Sequence, residues 1–111
     1  MTLGARRDLL PGTLDMLILK TLTVQAMHGY GIAQHLARSS EEVIRVEEGS
    51  LYPALQRLLL HGHLDAEWGQ SENNRRARFY TLTARGRKHL AAERAEFDRV
   101  IGAIQRVLAT S

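Results

Sequence analysis

The fold is decided by the stretch Glu48-Gly-Ser-Leu-Tyr-Pro-Ala-Leu-Gln-Arg-Leu-Leu-Leu-His-Gly62, which predicts a short helix with two different faces. A serine oxygen accepts hydrogen bonds from the free N–H groups of a first turn, so Gly49 or Ser50 is the expected N-cap, with Pro53 inside that turn. Gly62 is expected to end the helix as a C′ glycine. One face is apolar because four leucines repeat at helical spacing: Leu51, Leu55, Leu58 and Leu59.

The other side of this helix carries hydrogen-bonding groups: Ser50, Tyr52, Gln56 and Arg57. A helix of this kind is either an ordinary surface helix or a helix that lies in a DNA groove. Its own residues do not distinguish the two, and the flanking segments must decide.

The composition limits the class of protein. With 111 residues, 44% hydrophobic and 24% charged, the chain predicts one globular domain. Its apolar runs are too short to span a membrane, and its first residues lack the apolar core of a signal peptide, so we expect a cytoplasmic location and no membrane partner. The absence of cysteine excludes disulfides, a thiol nucleophile and a Cys-based zinc site. The sequence predicts no metal site and no cofactor.

Basic residues are unevenly placed along a chain whose net charge is +3. One segment, residues 75–88, contains basic side chains and no acid: Arg75, Arg76, Arg78, Arg85, Arg87 and Lys88. Such a cluster in an otherwise balanced chain suggests a polyanion as the partner. A solvated charged face is the alternative interpretation.

A first helix is expected after the chain break at Pro11 and Gly12, with Thr13 as its N-cap. Apolar residues lie on more than one of its sides, which favours burial on more than one side. Leu14 and Leu17 belong to its periodic stripe and Leu19 adds a further apolar side. The second face is a candidate dimer contact, and Leu14 and Leu17 are candidate dimerisation residues.

A second helix is expected from about Tyr30 to Ser39, after Gly29 breaks the first. His28 and Tyr30 then lie at a helix N-terminus, which is a ready site for an anion, although packing against the next helix explains them as well. Gly29-x-Gly31 is not a nucleotide fingerprint, because a third glycine, a preceding strand and a P-loop lysine are all missing.

Alternating residues predict the strands. Val43-Ile-Arg-Val46 predicts a single edge strand, and residues 64–68 and 78–83 predict the two strands of a β-hairpin. Trp68 is expected to be buried as an anchor of this hairpin, with stacking on a ligand as the alternative. The hairpin tip carries four polar residues: Asn73, Asn74, Arg75 and Arg76.

The last helix is expected from about Ala84 to Ala109, capped by Thr83. Its residues at alternating spacings of four and three make a heptad seam: Leu90, Arg94, Phe97, Ile101, Ile104 and Leu108, flanked by Val100 and Val107. A helix of this length projects beyond a small globule, so its apolar stripe needs another surface. We expect dimerisation, with packing back on its own domain as the alternative.

The predicted order is helix, helix, short strand, helix, hairpin and long helix. It is mainly α with a small β-hairpin (α+β), and it matches a winged helix-turn-helix DNA-binding domain over residues 1–83, joined to a C-terminal dimerisation helix over residues 84–111. In this arrangement the third helix enters the major groove, while the wing tip reaches the neighbouring backbone or minor groove.

Roles follow from this placement. Gln56 is expected to read adenine and Arg57 guanine. Ser50 and Tyr52, near the helix start, are expected to bond phosphate oxygens and set the register. Arg75 and Arg76 in the wing are expected to meet phosphates or a narrow minor groove.

Five blocks of the sequence resemble the PadR family of transcriptional regulators. They are Leu10-Pro-Gly-Thr-Leu-Asp-Met-Leu-Ile-Leu19, His28-Gly-Tyr30, Glu48-Gly-Ser-Leu-Tyr-Pro-Ala-Leu55, Ser71-Glu-Asn-Asn-Arg-Arg-Ala77 and Tyr80-Thr-Leu-Thr-Ala-Arg-Gly-Arg87. The match runs in the family's order from about Leu9 to Leu108, and several blocks are long enough to be specific. With one long helix at its end, the chain looks like the short branch of the family.

The resemblance implies a homodimeric repressor that binds a double-stranded DNA operator with an inverted repeat. The C-terminal helix would pair with its counterpart near the partner's first helix. The HGY, GSLYP and NRR segments would line the DNA surface, which adds Gly29 and Pro53 to the DNA-binding residues. A small aromatic effector is a further partner that the resemblance raises, and we expect it between the first and last helices of the dimer.

Two other classes of protein compete with this interpretation. Catalysis is disfavoured because the histidines are scattered and Ser50 lacks the Gly-x-Ser-x-Gly elbow of a nucleophile. The remaining alternative is a protein-interaction module, in which the heptad helix and the hairpin bind a protein and not DNA. The basic hairpin tip distinguishes the two.

Overall fold

The computed structural model describes residues 12–111, which form helices around one edge of a small antiparallel sheet. In chain order the elements are α1 (Thr13–Thr21), β1 (Met27–His28), α2 (Gly29–Ser39), α3 (Glu48–Leu60), β2 (Leu64–Gln70), β3 (Arg76–Leu82) and α4 (Ala84–Leu108). The strand order is β1-β3-β2. The mainly α, α+β class predicted from the sequence is confirmed.

The core lies where α1, α2 and α3 meet the base of the hairpin. Every element contributes at the spacing that its secondary structure requires, so helices supply residues three or four apart and strands supply alternate ones. The fully buried side chains with the largest volumes are Ile18, Leu19, Ile32, Leu51, Leu55, Leu58 and Leu64.

The start of α1 differs from the expectation that Thr13 is the N-cap. Gly12 occupies that position with φ at 85°, a left-handed conformation that favours glycine, and Thr13 is already helical. No side chain caps this end of the helix. The negative charge of Asp15 in the first turn interacts favourably with the positive end of the helix dipole. Pro11 lies outside the described residues.

The sequence predicted that Gly29 ends α1, and this prediction is wrong. The helix already ends at Thr21, and Gly29 is the first residue of α2. Between them Met27 and His28 are extended and pair with Tyr80 and Phe79 of β3. This two-residue strand is too short to show any period, which is why the sequence did not reveal it.

The edge strand predicted at residues 43–46 is absent, because this segment forms a local loop. Glu41 and Glu42 take positive φ values of 52° and 69° and turn the chain away from α2. Ser40 Oγ then accepts from the N–H of Ile44 at 2.9 Å. The backbone is therefore bonded within the loop, and the third strand of the sheet is β1.

The start of α3 lies earlier than expected. Glu47 is the N-cap, so Gly49 and Ser50 are already inside the helix. Pro53 consequently falls in the second turn and cannot donate to the carbonyl four residues earlier, which is that of Gly49.

The end of α3 is as predicted. Gly62 has φ at 75°, and its N–H donates to the carbonyl of Leu59 at 3.0 Å. The N–H of His63 reaches back to the carbonyl of Leu58 at 2.9 Å. These two bonds make a Schellman motif, which leads the chain directly into β2.

The hairpin pairs residues from Leu64 with Leu82 to Gln70 with Arg76. It extends two residues further toward the tip than the sequence predicted, so Arg76 belongs to β3. The tip is closed by the Ser71 N–H, which donates to the Arg75 carbonyl at 2.8 Å, and Asn74 takes φ of 59°. We call β2, the tip and β3 the wing.

Thr83 joins the end of α3 to the start of α4. As predicted, its hydroxyl caps α4 by accepting from the Gly86 N–H at 2.9 Å. The same hydroxyl donates to the Gly62 carbonyl at 2.7 Å, and the Thr83 N–H donates to the His63 carbonyl at 3.2 Å. Gly86 fits closely here, since a Cβ on it would overlap the His63 carbonyl oxygen.

Helix α4 leaves most of its surface uncovered. Of its 25 residues, all within the described chain, only Gly86 is buried. Residues 87–98 of α4 line a groove together with α1, and four apolar side chains further along the helix are exposed: Val100, Ile104, Val107 and Leu108. Within residues 12–111, no helix combines the length and the apolarity needed to cross a membrane. The division of the chain at residue 83 stays a prediction.

Candidate nucleic-acid interface

A cleft with a volume of about 640 Å³ lies between the N-terminus of α2, helix α3 and the wing. We call it the wing cleft. It brings together seven residues that the sequence singled out from three separate segments: His28, Gly29, Tyr30, Tyr52, Asn73, Arg75 and Arg76. Its other lining residues are Trp68, Ser71, Glu72, Ala77, Arg78 and Tyr80.

His28 holds the N-terminus of α2. Its Nδ1 accepts from the Gly31 N–H at 3.0 Å, and its ring packs edge-on against Phe79 with centroids 5.2 Å apart. With Nδ1 used as an acceptor, the neutral ring carries its proton on Nε2, which lies 3.7 Å from the Glu72 carboxylate. His28 therefore acts as the cap of the helix, while Tyr30 beside it is 66% exposed at the mouth of the cleft.

Gly29 and Tyr52 bring α2 and α3 into close contact. A Cβ on Gly29 would lie 2.8 Å from the Tyr52 hydroxyl oxygen and 3.1 Å from two of its ring carbons. The tyrosine ring therefore rests on the glycine backbone at the start of α2. This contact keeps Tyr52 partly exposed and holds it in the cleft beside the helix N-terminus.

The outermost face of α3 is different from the cleft. Pro53, Gln56 and Leu60 point away from the core, and Leu60 is 84% exposed. Four predicted DNA-binding residues of α3 do not line the cleft: Ser50, Pro53, Gln56 and Arg57. Asn74, at the wing tip, does not line it either. Gln56 thus stays a candidate base reader on a face that is otherwise largely apolar.

Arg57 has a partner that the sequence did not reveal. Its Nη2 donates to Asp15 Oδ1 of α1 at 2.9 Å. The guanidinium is thereby directed toward α1, on the flank of α3, and a contact with a guanine would require this pair to open. Base reading by Arg57 stays a prediction, and the structure assigns the side chain a second role in fixing α3 on α1.

The wing supplies the positive charge of the cleft. Arg75, Arg76 and Arg78 all line it, and within residues 12–111 none of them lies within 4.0 Å of a carboxylate oxygen. Arg78 was not among the predicted site residues. The alternation of a strand places it on the same face as Arg76, and that period was the signal that would have found it.

The prediction that Trp68 is a buried anchor is wrong. Its side chain is 61% exposed, and Arg76 Cζ lies 4.8 Å from its ring centroid. Leu64 and Ala66 precede it on the same face of β2 and pack on the core. The strand continues past the end of the helices, so the third residue of the face emerges into the cleft.

A second surface runs between α1 and α4. It is an apolar groove of about 570 Å³. Its lining includes Met16, Leu17, Leu90, Ala91 and Phe97. Arg94, which interrupts the heptad seam, is exposed and lies 3.4 Å from Asp98 on the same helix.

The predicted dimerisation residues divide into two groups. Those near α1 or midway along α4 are half-buried: Leu14, Leu17, Leu90, Phe97 and Ile101. Those toward the end of α4 are exposed: Val100, Ile104, Val107 and Leu108. The apolar stripe therefore continues from the groove onto open surface.

Three histidines meet where α3 ends and α4 begins. The rings of His63 and His89 stack with centroids 4.1 Å apart, and His61 lies 5.9 Å from His63. Burial lowers the pKa of His63, and the neighbouring His89 and Arg85 lower it further. In the part of the chain that the structure describes, no three His, Cys, Asp or Glu side chains are arranged to hold a metal ion.

Three helices followed by a wing, with a basic cleft between them, define a winged-helix protein of the DNA-binding class. Residues 18–92 match the model of the Transcriptional regulator PadR-like family. The chain belongs to this family. Regulation of transcription through DNA binding is therefore its function, and the prediction that it is not an enzyme is confirmed.

Solved structures of the same family are similar along most of their length. A PadR family transcription regulator from Clostridium difficile is 27% identical, with a TM-score of 0.75 over 88% of this chain and 100% of that one. A PadR family regulator from Eggerthella lenta is 29% identical, with a TM-score of 0.77 over 90% of this chain and 85% of that one.

A relative known by its sequence is an uncharacterised protein from Lysinibacillus sphaericus. It is 27% identical over 86% of this chain and 91% of its own length.

Proposed function

We propose that this regulator is a homodimeric repressor that binds an inverted-repeat operator through α3 and the wing cleft. The observation that carries the proposal is the cleft itself. It places a helix N-terminus, three tyrosines and three arginines around one concavity, and phosphate groups bind both helix N-termini and guanidinium groups. A cytoplasmic location is part of this proposal.

Base recognition is assigned to the outermost face of α3. Gln56 is the polar side chain there, and an amide of this kind pairs with both hydrogen-bonding groups of an adenine edge. Pro53 and Leu60 flank it and offer apolar contacts, which suit thymine methyl groups. Tyr52 and the wing arginines then set the register of α3 on the backbone.

Dimerisation is assigned to α4 and the groove on α1. The exposed apolar residues of α4 continue the stripe that begins at Leu90. A second copy of the chain would cover this stripe and the groove between α1 and α4. A helix with one apolar stripe and no partner for its second half is unfavourable in water. A two-fold axis through α4 would present two copies of α3 to two half-sites.

An effector site is assigned to the same groove. Met16, Leu17, Leu90 and Phe97 line it, and such a surface suits a planar aromatic compound held between α1 and α4. A compound bound there would change how α4 packs on α1 and thereby the spacing of the recognition helices. Unchanged operator affinity across a broad panel of planar aromatic compounds would argue against this part.

The test is binding to the duplex upstream of the protein's own gene, measured by gel shift at two salt concentrations. We expect specific binding by the wild type. The variant Arg75→Ala with Arg76→Ala is expected to bind all sequences more weakly, with the salt slope reduced by about 0.9 units per phosphate contact removed. Arg99→Ala with Arg106→Ala is the matched control, because it also removes two positive charges, from exposed positions of α4 that do not line the cleft.

The alternative of a protein-interaction module that does not bind DNA is disfavoured, because the chain belongs to a family of transcriptional regulators. It predicts no binding to this duplex at low salt and no effect of the two wing arginines. The same experiment therefore separates the two functions.

A further inference from the structure

Trp68 is the chain's one tryptophan, and the wing holds most of its side chain in water. Tryptophan has a large aromatic surface, and burying it would stabilise the fold. Trp68 is not needed to complete the core, because the hairpin is already anchored by Leu64 and Tyr80. Its side chain is therefore available for a role outside the fold.

The wing places the ring of Trp68 beneath Arg76. In the ladder Trp68 is opposite Arg78, and Gln70 is opposite Arg76, so Trp68 and Arg76 are diagonal neighbours on one face. The guanidinium carbon lies 4.8 Å from the ring centroid. At this distance a cation is attracted to the face of an indole, and the attraction restricts a side chain that would otherwise sample many rotamers.

Arg76 is the arginine best prepared for a phosphate. Within residues 12–111 its guanidinium forms no ion pair, and it lies in a cleft that three tyrosines and the start of α2 also line. Stacking on one face leaves the edge of the guanidinium, with its N–H groups, free to bind two oxygens of one phosphate.

We propose that Trp68 is a positioning residue that holds Arg76 in the orientation in which it binds a DNA phosphate. The inference rests on the proposed function and assigns one further residue to the same interface. The tryptophan acts through the arginine, and the pair delivers one charge from each wing to the DNA backbone.

The experiment is a double-mutant cycle of Trp68→Ala and Arg76→Ala, with operator affinity measured by fluorescence anisotropy over a range of salt concentrations. Trp68→Ala is expected to weaken binding about threefold to tenfold and to reduce the salt slope by about 0.9 units per wing. Once Arg76 is alanine, removal of Trp68 is expected to have almost no further effect.

Two controls exclude a structural explanation. Trp68→Phe keeps an aromatic face and is expected to restore most of the affinity and the wild-type salt slope. Val24→Ala removes another exposed apolar side chain, which is 72% exposed, and is expected to leave both unchanged. Thermal unfolding of Trp68→Ala is expected to match the wild type, because the ring is outside the core.

Additive effects of Trp68→Ala and Arg76→Ala, or a salt slope that Trp68→Ala leaves unchanged, would overturn the inference. Loss of affinity in Trp68→Phe as large as in Trp68→Ala would do the same. These outcomes leave the wild-type protein bound to its operator. Failure of the proposed function differs, since the wild type would then not bind the duplex at all.

Discussion

Arg57 of α3 donates from Nη2 to Oδ1 of Asp15 on α1 at 2.9 Å, across 42 positions of the sequence. The pair lies at the flank of the recognition helix, with the arginine side chain 53% exposed and the aspartate 22% exposed. It ties the helix that is proposed to enter DNA to α1, whose groove is proposed to take part in the dimer contact. The orientation of α3 therefore depends on α1 directly as well as through the core.

Arg57→Ala is expected to reduce operator affinity evenly across base-pair variants of the operator, because it loosens α3 without removing a base contact. Gln56→Ala is expected to relax discrimination at one position of each half-site, by about 1–3 kcal/mol. The free energy of unfolding of Arg57→Ala should fall by less than about 1 kcal/mol, since the pair is solvent-screened. If Arg57→Ala instead abolishes discrimination at a single base pair, Arg57 reads that base.

Gly29→Ala is expected to lower operator affinity while leaving the fold intact. The added Cβ would lie 2.8 Å from the Tyr52 hydroxyl oxygen, so the ring must move out of its place in the cleft. Gly31→Ala is the matched control in the same turn, where the nearest atoms are 3.4 Å away and the contact is ordinary. Equal affinity of the two variants would show that the placement of Tyr52 is unimportant for binding.

Gly86→Ala is expected to destabilise the fold by about 2 kcal/mol or more, because its Cβ would overlap the His63 carbonyl oxygen and backbone cannot move aside cheaply. Gly49 lies in the first turn of α3, and a Cβ on it would meet nothing within 4 Å. Gly49→Ala is therefore expected to raise the free energy of unfolding by up to about 1 kcal/mol. Urea denaturation of both variants gives the comparison. A stable Gly86→Ala protein would mean that α4 can shift at its start without cost.

Ile104→Glu is expected to convert a dimer to a monomer, because it places a charge in the exposed apolar stripe of α4. The monomer should remain folded, since the side chain contributes nothing to the core. Ala95→Glu introduces the same side chain on the opposite side of the helix and is expected to remain dimeric. Sedimentation velocity distinguishes these states, and a dimeric Ile104→Glu would place the interface elsewhere.

The fold is expected to lose stability as the pH falls below 6.5. Burial lowers the pKa of His63 from 6.5, with His89, Arg85 and His61 acting in the same direction and Asp15 of α1 in the opposite one. The unfolded chain therefore binds a proton more readily than the folded one, and the free energy of unfolding decreases as the pH falls from 6.5 toward the lowered pKa.

His63→Phe is expected to reduce this pH dependence, because it keeps a ring against His89 and removes the titrating group. Urea denaturation about one pH unit above and about one below 6.5 measures the difference. A loss of stability in His63→Phe as steep as in the wild type would assign the pH dependence to other groups.

The elements that the sequence predicted correctly are those that depend on neighbours along the chain. Helix α3, its glycine stop, the wing and the Thr83 cap follow from periodicity and capping chemistry, which act over a few residues. The wing cleft follows from the order of these elements. For this reason much of its lining, from His28 to Arg76, is predictable from the sequence alone.

The features that the sequence missed depend on distances in space. The pairing of Asp15 with Arg57 and the stacking of His63 on His89 join segments that have no common period. The exposure of Trp68 was missed for a related reason. Its alternation with Leu64 indicates a buried face, but how far the core extends along β2 is set by the helices packed on it.

Thr83 connects the end of α3 to the start of α4 through three hydrogen bonds. One threonine bonds the carbonyl groups of Gly62 and His63, just after the end of α3, and the N–H of Gly86 in the first turn of α4. The helix proposed to enter DNA and the helix proposed to form the dimer are therefore joined through this residue. In such a dimer, the crossing angle of the two α4 helices would set the distance between the two α3 helices. That distance would determine the number of base pairs between the two half-sites.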